Sequence, residues 1–338
     1  MPIIEFNNVS KAYANHKVLD NFSLSIEQGE FLVLLGPSGC GKTTILKMIN
    51  GLLLPDSGEI KVKEKPISSY DLIELRRGIG YVIQQIGLLP HLSVKENIYF
   101  VLDLLKKPVS EKELVAKDLI NVVGMDESFL GRYPKELSGG QQQRVGVARA
   151  LAANPEIILM DEPFGAVDEI TRRNLQDEII RIHKMLKKTV IFVTHDIEEA
   201  IKLGTRIVLL NNGVIERNEK KRDFVLLEGR SDYAQKFFES KDFMAYLNTI
   251  KIKDIIPKTK VTDISIKNVK SSIDSLNITE NFTNISKDNL IFSISYDASV
   301  LQGIQKSIES GQDRLLVLDE DNSNYGWFEL KEVYSQIK

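Results

Sequence analysis

Apolar residues in this chain come in short bursts, and their spacing alternates between two periods. Ile3 to Phe6 and Phe22 to Ile26 switch between apolar and polar positions, the mark of half-buried strands. Phe31 to Leu35, Ile157 to Met160, Val190 to Val193 and Ile207 to Leu210 are unbroken apolar runs of strand length, as expected of strands buried on both faces. Helical stretches lie between them. Lys42 to about Asn50 reads as a helix stopped by Gly51 and Pro55. Residues 110 to 123 read as a second helix, with Ser110 the expected N-cap and Glu113 its capping-box partner, and another helix follows Ser138. Strands alternating with helices predict an α/β fold, a largely parallel sheet covered on both faces, out to roughly residue 235.

Beyond about Lys251 the pattern changes. Residues 254 to 295 are rich in Lys, Ser, Asn, Asp and Thr, with weak periodicity. Order is expected to return at Ile291 to Ile294, followed by a helix from Ala298 to Ser310, a strand at Leu315 to Leu318, an acidic turn at Asp319 to Asn322 and a strand at Tyr325 to Phe328, with Trp327 in the core. A length of 338 residues suits two domains. The expected division is 1–240 and 250–338.

Composition narrows the function classes. Hydrophobic residues make up 43% and charged residues 27%, ordinary for a globular protein. A net charge of −3 gives no electrostatic reason to expect a nucleic acid partner. The single cysteine, Cys40, excludes an internal disulfide framework, and four histidines without cysteine partners argue against structural zinc. The start lacks a basic end followed by an apolar run, and no stretch approaches the roughly 20 apolar residues that span a bilayer. Any membrane role is therefore expected to work through another polypeptide.

Candidate chemistry concentrates where apolar strands end. Gly36-Pro37-Ser38-Gly39-Cys40-Gly41-Lys42-Thr43, with Thr44 after it, fits the phosphate-loop pattern between a predicted strand and helix. Its glycines let backbone N–H groups converge on phosphate oxygens, and the next helix points its positive end at the anion. Lys42 is expected to reach the β- and γ-phosphates of ATP, and Thr43 to bind Mg²⁺ through its hydroxyl. Farther on, the run Ile157 to Met160 ends in Asp161 and Glu162. Asp161 is placed to hold Mg²⁺, leaving Glu162 to polarise the attacking water as a general base.

The stretch Leu137-Ser138-Gly139-Gly140-Gln141-Gln142-Gln143-Arg144 resembles the signature motif of ABC-transporter ATPases. That resemblance implies a P-loop NTPase fold, an ABC-type nucleotide-binding domain with a helical subdomain. It also implies a head-to-tail dimer in which Ser138, Gly139, Gly140 and Gln141 of one copy close over ATP bound by the other. The remaining family landmarks follow in order. Tyr13 resembles the aromatic residue that stacks on adenine. Gln84 resembles the glutamine that senses Mg²⁺ and the attacking water, on a loop to Leu92 that faces the membrane subunit. Asp168 resembles the aspartate linking the two sites, and His195 the switch histidine that contacts the γ-phosphate.

Three further segments, Tyr81 to His91, Met160 to Arg172 and Glu198 to Leu203, look like ATPases of compatible-solute importers for glycine betaine, carnitine, choline or proline betaine. Amino-acid, polyamine or sugar import is the alternative. The likeness implies a peripheral subunit on the cytoplasmic face of a prokaryotic membrane, with permease subunits and a solute-binding protein as partners. Ser295 to Ile337 resembles one CBS repeat, and the first repeat, expected around 254 to 290, is degenerate. Glu329 and Glu332 stand where many CBS repeats place a Ser or Thr and then an Asp to hold ribose, and a carboxylate at the first of these positions would repel a phosphate. A dimerisation or packing module is thus favoured over a nucleotide site.

Overall fold

The computed structural model describes residues 1–14, 16–83, 87–165, 167–225, 233, 247, 250–255, 293–312, 314–321 and 324–329. The chain forms two compact units, Met1–Asn218 and Glu219–Lys338.

Two sheets build the first unit. Strands β1 (Pro2–Tyr13), β2 (His16–Glu27), β4 (Ser57–Val62) and β5 (Lys65–Pro66) form an antiparallel sheet in the order β2-β1-β4-β5. Strands β3 (Phe31–Leu35), β6 (Ile79–Val82), β7 (Ile157–Asp161), β8 (Thr189–Thr194), β9 (Arg206–Asn211) and β10 (Val214–Lys220) form the other, in the order β10-β9-β3-β8-β7-β6. From β9 to β6 every pairing is parallel. All side chains of β3, β7 and β8 are buried, which is why these strands read as unbroken apolar runs.

Strands β1 and β2 run well past the alternating segments that predict them. Pairing needs only backbone N–H and C=O groups, so it continues where side-chain alternation has stopped. The extension is irregular, with register shifts along β1–β2 and left-handed backbone at Asn8 and Asn21. Asp56 holds its end, accepting from Lys11 Nζ at 2.5 Å and from the Ala12 amide at 2.8 Å.

The main core includes Ile4, Phe6, Ile26, Leu32, Leu34 and Ile191 from the sheets, with Ile45 and Ile49 of helix α1 (Lys42–Ile49). Phe6 and Phe22 meet edge to face at 5.4 Å. Each of the fully buried aliphatic side chains contributes about 1.5–3 kcal/mol of transfer free energy.

After the short α2 (Leu72–Arg77), three helices pack on one another: α3 (Val94–Leu104), α4 (Val109–Val122) and α5 (Gly139–Leu151). Ser110 does not cap α4. The N-cap is Pro108, and Ser110 lies inside the first turn. The cap thus lies two residues before the expected one, with the Lys112 amide donating to the Pro108 carbonyl at 3.1 Å. The capping boxes form instead at Ser93–Glu96 and Ser138–Gln141. The last carbonyls of α4 are tied down from two directions. Arg144 of α5 donates to the Val123 carbonyl, and Arg181 of α6 (Glu169–Leu186) to that of Val122, both at 2.6 Å. Helix α7 (Ile197–Leu203) follows β8.

The second unit contains α8 (Lys221–Val225), α9 (Ile252–Ile255), β11 (Ser293–Ser295), α10 (Val300–Ser310), β12 (Arg314–Leu318) and β13 (Asn324–Glu329). Its sheet runs β11-β12-β13, parallel then antiparallel. Trp327 is not the core residue of β13. It is half-buried, with the Arg314 guanidinium 4.3 Å from its ring, whereas Phe328 is fully buried. The strand's period of two puts these neighbours on opposite faces. The degenerate repeat expected around 254 to 290 lies almost wholly outside the described residues, as does Glu332.

Candidate nucleotide site

The strand order decides what meets at the site. β8 lies between β3 and β7, so the turns leaving these three parallel strands emerge side by side. The turn after β3 is the Gly36–Thr43 loop, β7 ends in Asp161 followed by Glu162, and β8 ends at Thr194, one residue before His195.

Gly41 is the N-cap of α1 at φ 106°, backbone that a side chain would strain. A Cβ there would also lie 3.0 Å from Cδ2 of Leu19, so the bare backbone lets the loop pass close to β2 as it enters the helix. Lys42 is 5% exposed, and its ammonium donates to the Gly36 and Pro37 carbonyls at 2.7 and 2.8 Å. Its charge is thus held against the loop itself. Cys40 is buried beside it, and desolvation pushes its thiol up.

Thr43 donates its hydroxyl to Asp161 Oδ1 at 3.0 Å, joining the phosphate-type loop to β7. Burial pushes the Asp161 carboxyl up. The Thr43 hydrogen bond opposes that shift, and the neighbouring Glu162 charge adds to it. These two side chains present hard oxygen donors, which suit Mg²⁺. Among the described residues no group of three or more His, Cys, Asp or Glu side chains could hold a metal alone. A cation held by these two side chains would need further oxygen ligands, the usual arrangement for Mg²⁺ beside phosphates.

Glu162 sits in left-handed backbone at φ 42°, uncommon for a residue with a side chain. Its amide donates to the Val193 carbonyl of β8 at 3.0 Å, which fixes the conformation. Glu162 Oε1 lies 3.4 Å from His195 Nδ1. The carboxylate and the imidazole thus share one place at the sheet edge.

Tyr13 ends β1 and is 45% exposed, leaving much of its ring open to a flat partner. The Ser138 turn belongs to the helical layer rather than the sheet. Ser138 Oγ accepts from the Gln141 amide at 3.3 Å, and Gln141 Oε1 accepts from the Ser138 amide at 2.9 Å. Gln142 donates to the Pro134 and Leu137 carbonyls. A Cβ on Gly140 would lie 2.3 Å from Cγ2 of Thr171, so only glycine lets α5 sit this close to α6. Asp168 caps α6, accepting from the Thr171 amide at 3.0 Å, and that bond holds its carboxyl below the usual range. Gln84 lies outside the described residues.

The motif reading missed three residues. Buried Asn97 organises residues 89 to 93, donating to the Leu89, Leu92 and Ser93 carbonyls and accepting from the Leu89 amide. Glu199 and Arg172 flank the site from α7 and α6. A signal for Asn97 existed: an isolated amide among the apolar positions Val94, Ile98 and Leu102, behind the Ser93–Glu96 capping pattern.

Comparison with known proteins is consistent with this site. The family model described as "ABC transporter" matches residues 19–165. The chain is 42% identical to the carnitine transport ATP-binding protein OpuCA of Listeria monocytogenes serotype 1/2a, over 98% of this chain and 76% of that protein. It is 40% identical to the glycine betaine/carnitine/choline transport ATP-binding protein OpuCA of Bacillus subtilis, over 98% of this chain and 79% of that protein. Among solved structures, it resembles the dimeric post-hydrolysis ATP-binding cassette MJ0796 bound to ADP and Pi, with TM-score 0.59 and 38% identity, covering 64% of this chain and 98% of that one.

Proposed function

This chain belongs to the ATP-binding proteins of ABC transporters, and from that premise we propose that it hydrolyses ATP to drive import of quaternary-amine osmoprotectants such as carnitine, glycine betaine or choline. The observation carrying this reading is the continuity of the likeness, which runs through 98% of the chain. No described helix is long and apolar enough to cross a membrane, so the force is delivered to separate permease subunits at the membrane surface.

The mechanism follows from the side chains. Tyr13 stacks on adenine. The Gly36–Thr43 backbone, with Ser38 and Thr44, surrounds the phosphates, and Lys42 exchanges its two loop carbonyls for phosphate oxygens. Thr43 and Asp161, with Gln84, would hold Mg²⁺, which would supply positive charge to offset that of the triphosphate. Glu162 accepts a proton from water as the water oxygen bonds to the γ-phosphorus and the bond to the β-bridging oxygen breaks, giving ADP and phosphate. His195 contacts the γ-phosphate from beside Glu162. A second copy, head to tail, completes the site with its Ser138 turn at the amino end of α5, an anion-binding arrangement. Asp168 links the two sites across the dimer. The division into an ATPase domain, 1–240, and a C-terminal regulatory or packing module, 250–338, belongs to the same reading. The parallel-then-antiparallel sheet with α10 supports a CBS-like module.

The test reconstitutes the chain with its permease subunits and solute-binding protein in liposomes. Glycine betaine, carnitine or choline is expected to raise ATP hydrolysis severalfold, whereas amino acids, spermidine and maltose leave it unchanged. Stimulation by one of the latter group alone overturns the solute assignment. No hydrolysis under any condition overturns the enzyme.

A further inference from the structure

Behind His195 lies a buried polar group that the mechanism above does not use. Glu199 is on the first turn of α7 and 6% exposed. Its Oε2 accepts the Thr194 hydroxyl at 2.6 Å, and Thr194 itself is 2% exposed. The same hydroxyl oxygen accepts the Asp196 amide at 3.0 Å. A relay therefore runs from the Asp196 N–H through Thr194 to Glu199 and clamps the residues on either side of His195. Asp196 also caps α7, accepting from the Glu198 and Glu199 amides, so the helix start and the turn form one piece.

The other side of Glu199 faces α6. Among the charges acting on its carboxyl is the Arg172 guanidinium. Arg172 donates to the Val167 carbonyl at 3.2 Å, just before Asp168, and lies 3.5 Å from Glu169. Its Nε is buried and has no hydrogen-bond partner. A buried carboxylate and a buried, unspent N–H thus sit in one electrostatic neighbourhood between the two loops that carry His195 and Asp168.

We propose that Glu199 is a positioning residue for hydrolysis: through Thr194 it fixes the turn that presents His195. The inference rests on the reading of His195 as the γ-phosphate contact. Glu199 acts through its neighbours, its carboxylate being bonded to Thr194.

The test measures ATP turnover by the full chain in variants of these residues. Glu199→Ala is expected to lower kcat roughly tenfold with KM for ATP within about twofold, because misplacement acts on the chemical step. Glu199→Gln, whose carbonyl oxygen still accepts the Thr194 hydroxyl, recovers kcat to within about threefold of the parent. Thr194→Val reproduces Glu199→Ala. Adding Glu199→Ala to His195→Ala costs less than about twofold more, since two residues acting as one unit are not additive. Multiplicative losses, a KM that rises in step, or a glutamine as poor as alanine overturns the proposal. Should Glu199→Ala fail to fold, Thr194→Val keeps the volume and carries the same cycle with His195→Ala. A His195→Ala variant with full turnover instead overturns the reading of His195 itself, whatever Glu199 does.

Discussion

The two halves of the proposed ATP site are built by different means. Asp161, Glu162 and His195 stand at or just after the ends of β7 and β8, whose side chains are wholly buried, and Lys42 opens α1 beyond the loop that follows the equally buried β3. Displacing the first three means shifting a strand within a close-packed core, which costs more than local hydrogen bonds can return. The Ser138 turn is held by a capping box, by Gln142 on two carbonyls and by Arg144 on the end of α4. Each such link contributes about 0.5–1.5 kcal/mol net. The contrast separates two demands. In the proposed function, the bond-breaking groups need fixed distances, whereas a turn offered to a second copy needs an aim that can change without disturbing the strands.

The largest test of that contrast is Glu162→Gln. It leaves backbone and volume unchanged and removes the proton acceptor, so turnover should fall by about a thousandfold or more while ATP affinity stays within a few-fold. Turnover assays beside equilibrium nucleotide binding check this. A near-normal rate would remove Glu162 from the role of base.

Gly140→Ala probes the other half. The new Cβ meets Thr171 Cγ2 at 2.3 Å, and overpacking of this kind costs about 1–3 kcal/mol. The melting temperature should drop by several degrees, and Thr171→Ser, which deletes that methyl, should restore at least half of the loss. A double variant no more stable than Gly140→Ala would refute the contact as the cause.

A third test depends on pH. Burial pushes the Glu199 carboxyl from the usual 4.5 up to about 7, with Asp196 adding to the rise and the Thr194 hydrogen bond, Arg172 and His195 opposing it. Between those pH values the folded chain keeps a proton that the unfolded chain releases. The stabilisation is therefore complete below about pH 4.5 and is lost as pH rises through about 7. Urea midpoints of the parent should fall relative to those of Glu199→Gln between pH 5 and pH 8, then run parallel. Parallel curves throughout would mean that Glu199 titrates normally.

How much could be read beforehand depended on whether the information was local. The phosphate-type loop and the Asp161–Glu162 pair are each written in a few consecutive residues whose types and spacing suit phosphate and metal chemistry, and the Ser138 turn in a run that resembles the signature motif of ABC-transporter ATPases. The unbroken apolar runs of β3, β7 and β8 gave the sheet, since burial on both faces leaves no other pattern. The relay from Asp196 to Glu199 was hidden, because a glutamate one turn into a helix looks solvated until α6 is packed over it. Ser110–Glu113 and Ser93–Glu96 match the same capping pattern, and only the latter forms a box, because Pro108 starts α4 early. The lengths of β1 and β2 exceeded their alternation for a similar reason: backbone pairing leaves no trace in side-chain polarity.

Thr171 has one further consequence. Its methyl backs the glycine of the turn offered outward, and its amide holds Asp168, the residue proposed to link the two sites. In a head-to-tail pair, what a copy lends to one nucleotide and what it contributes to communication with the other would rest on a single threonine. News of one hydrolysis event would then need to cross only the width of a side chain.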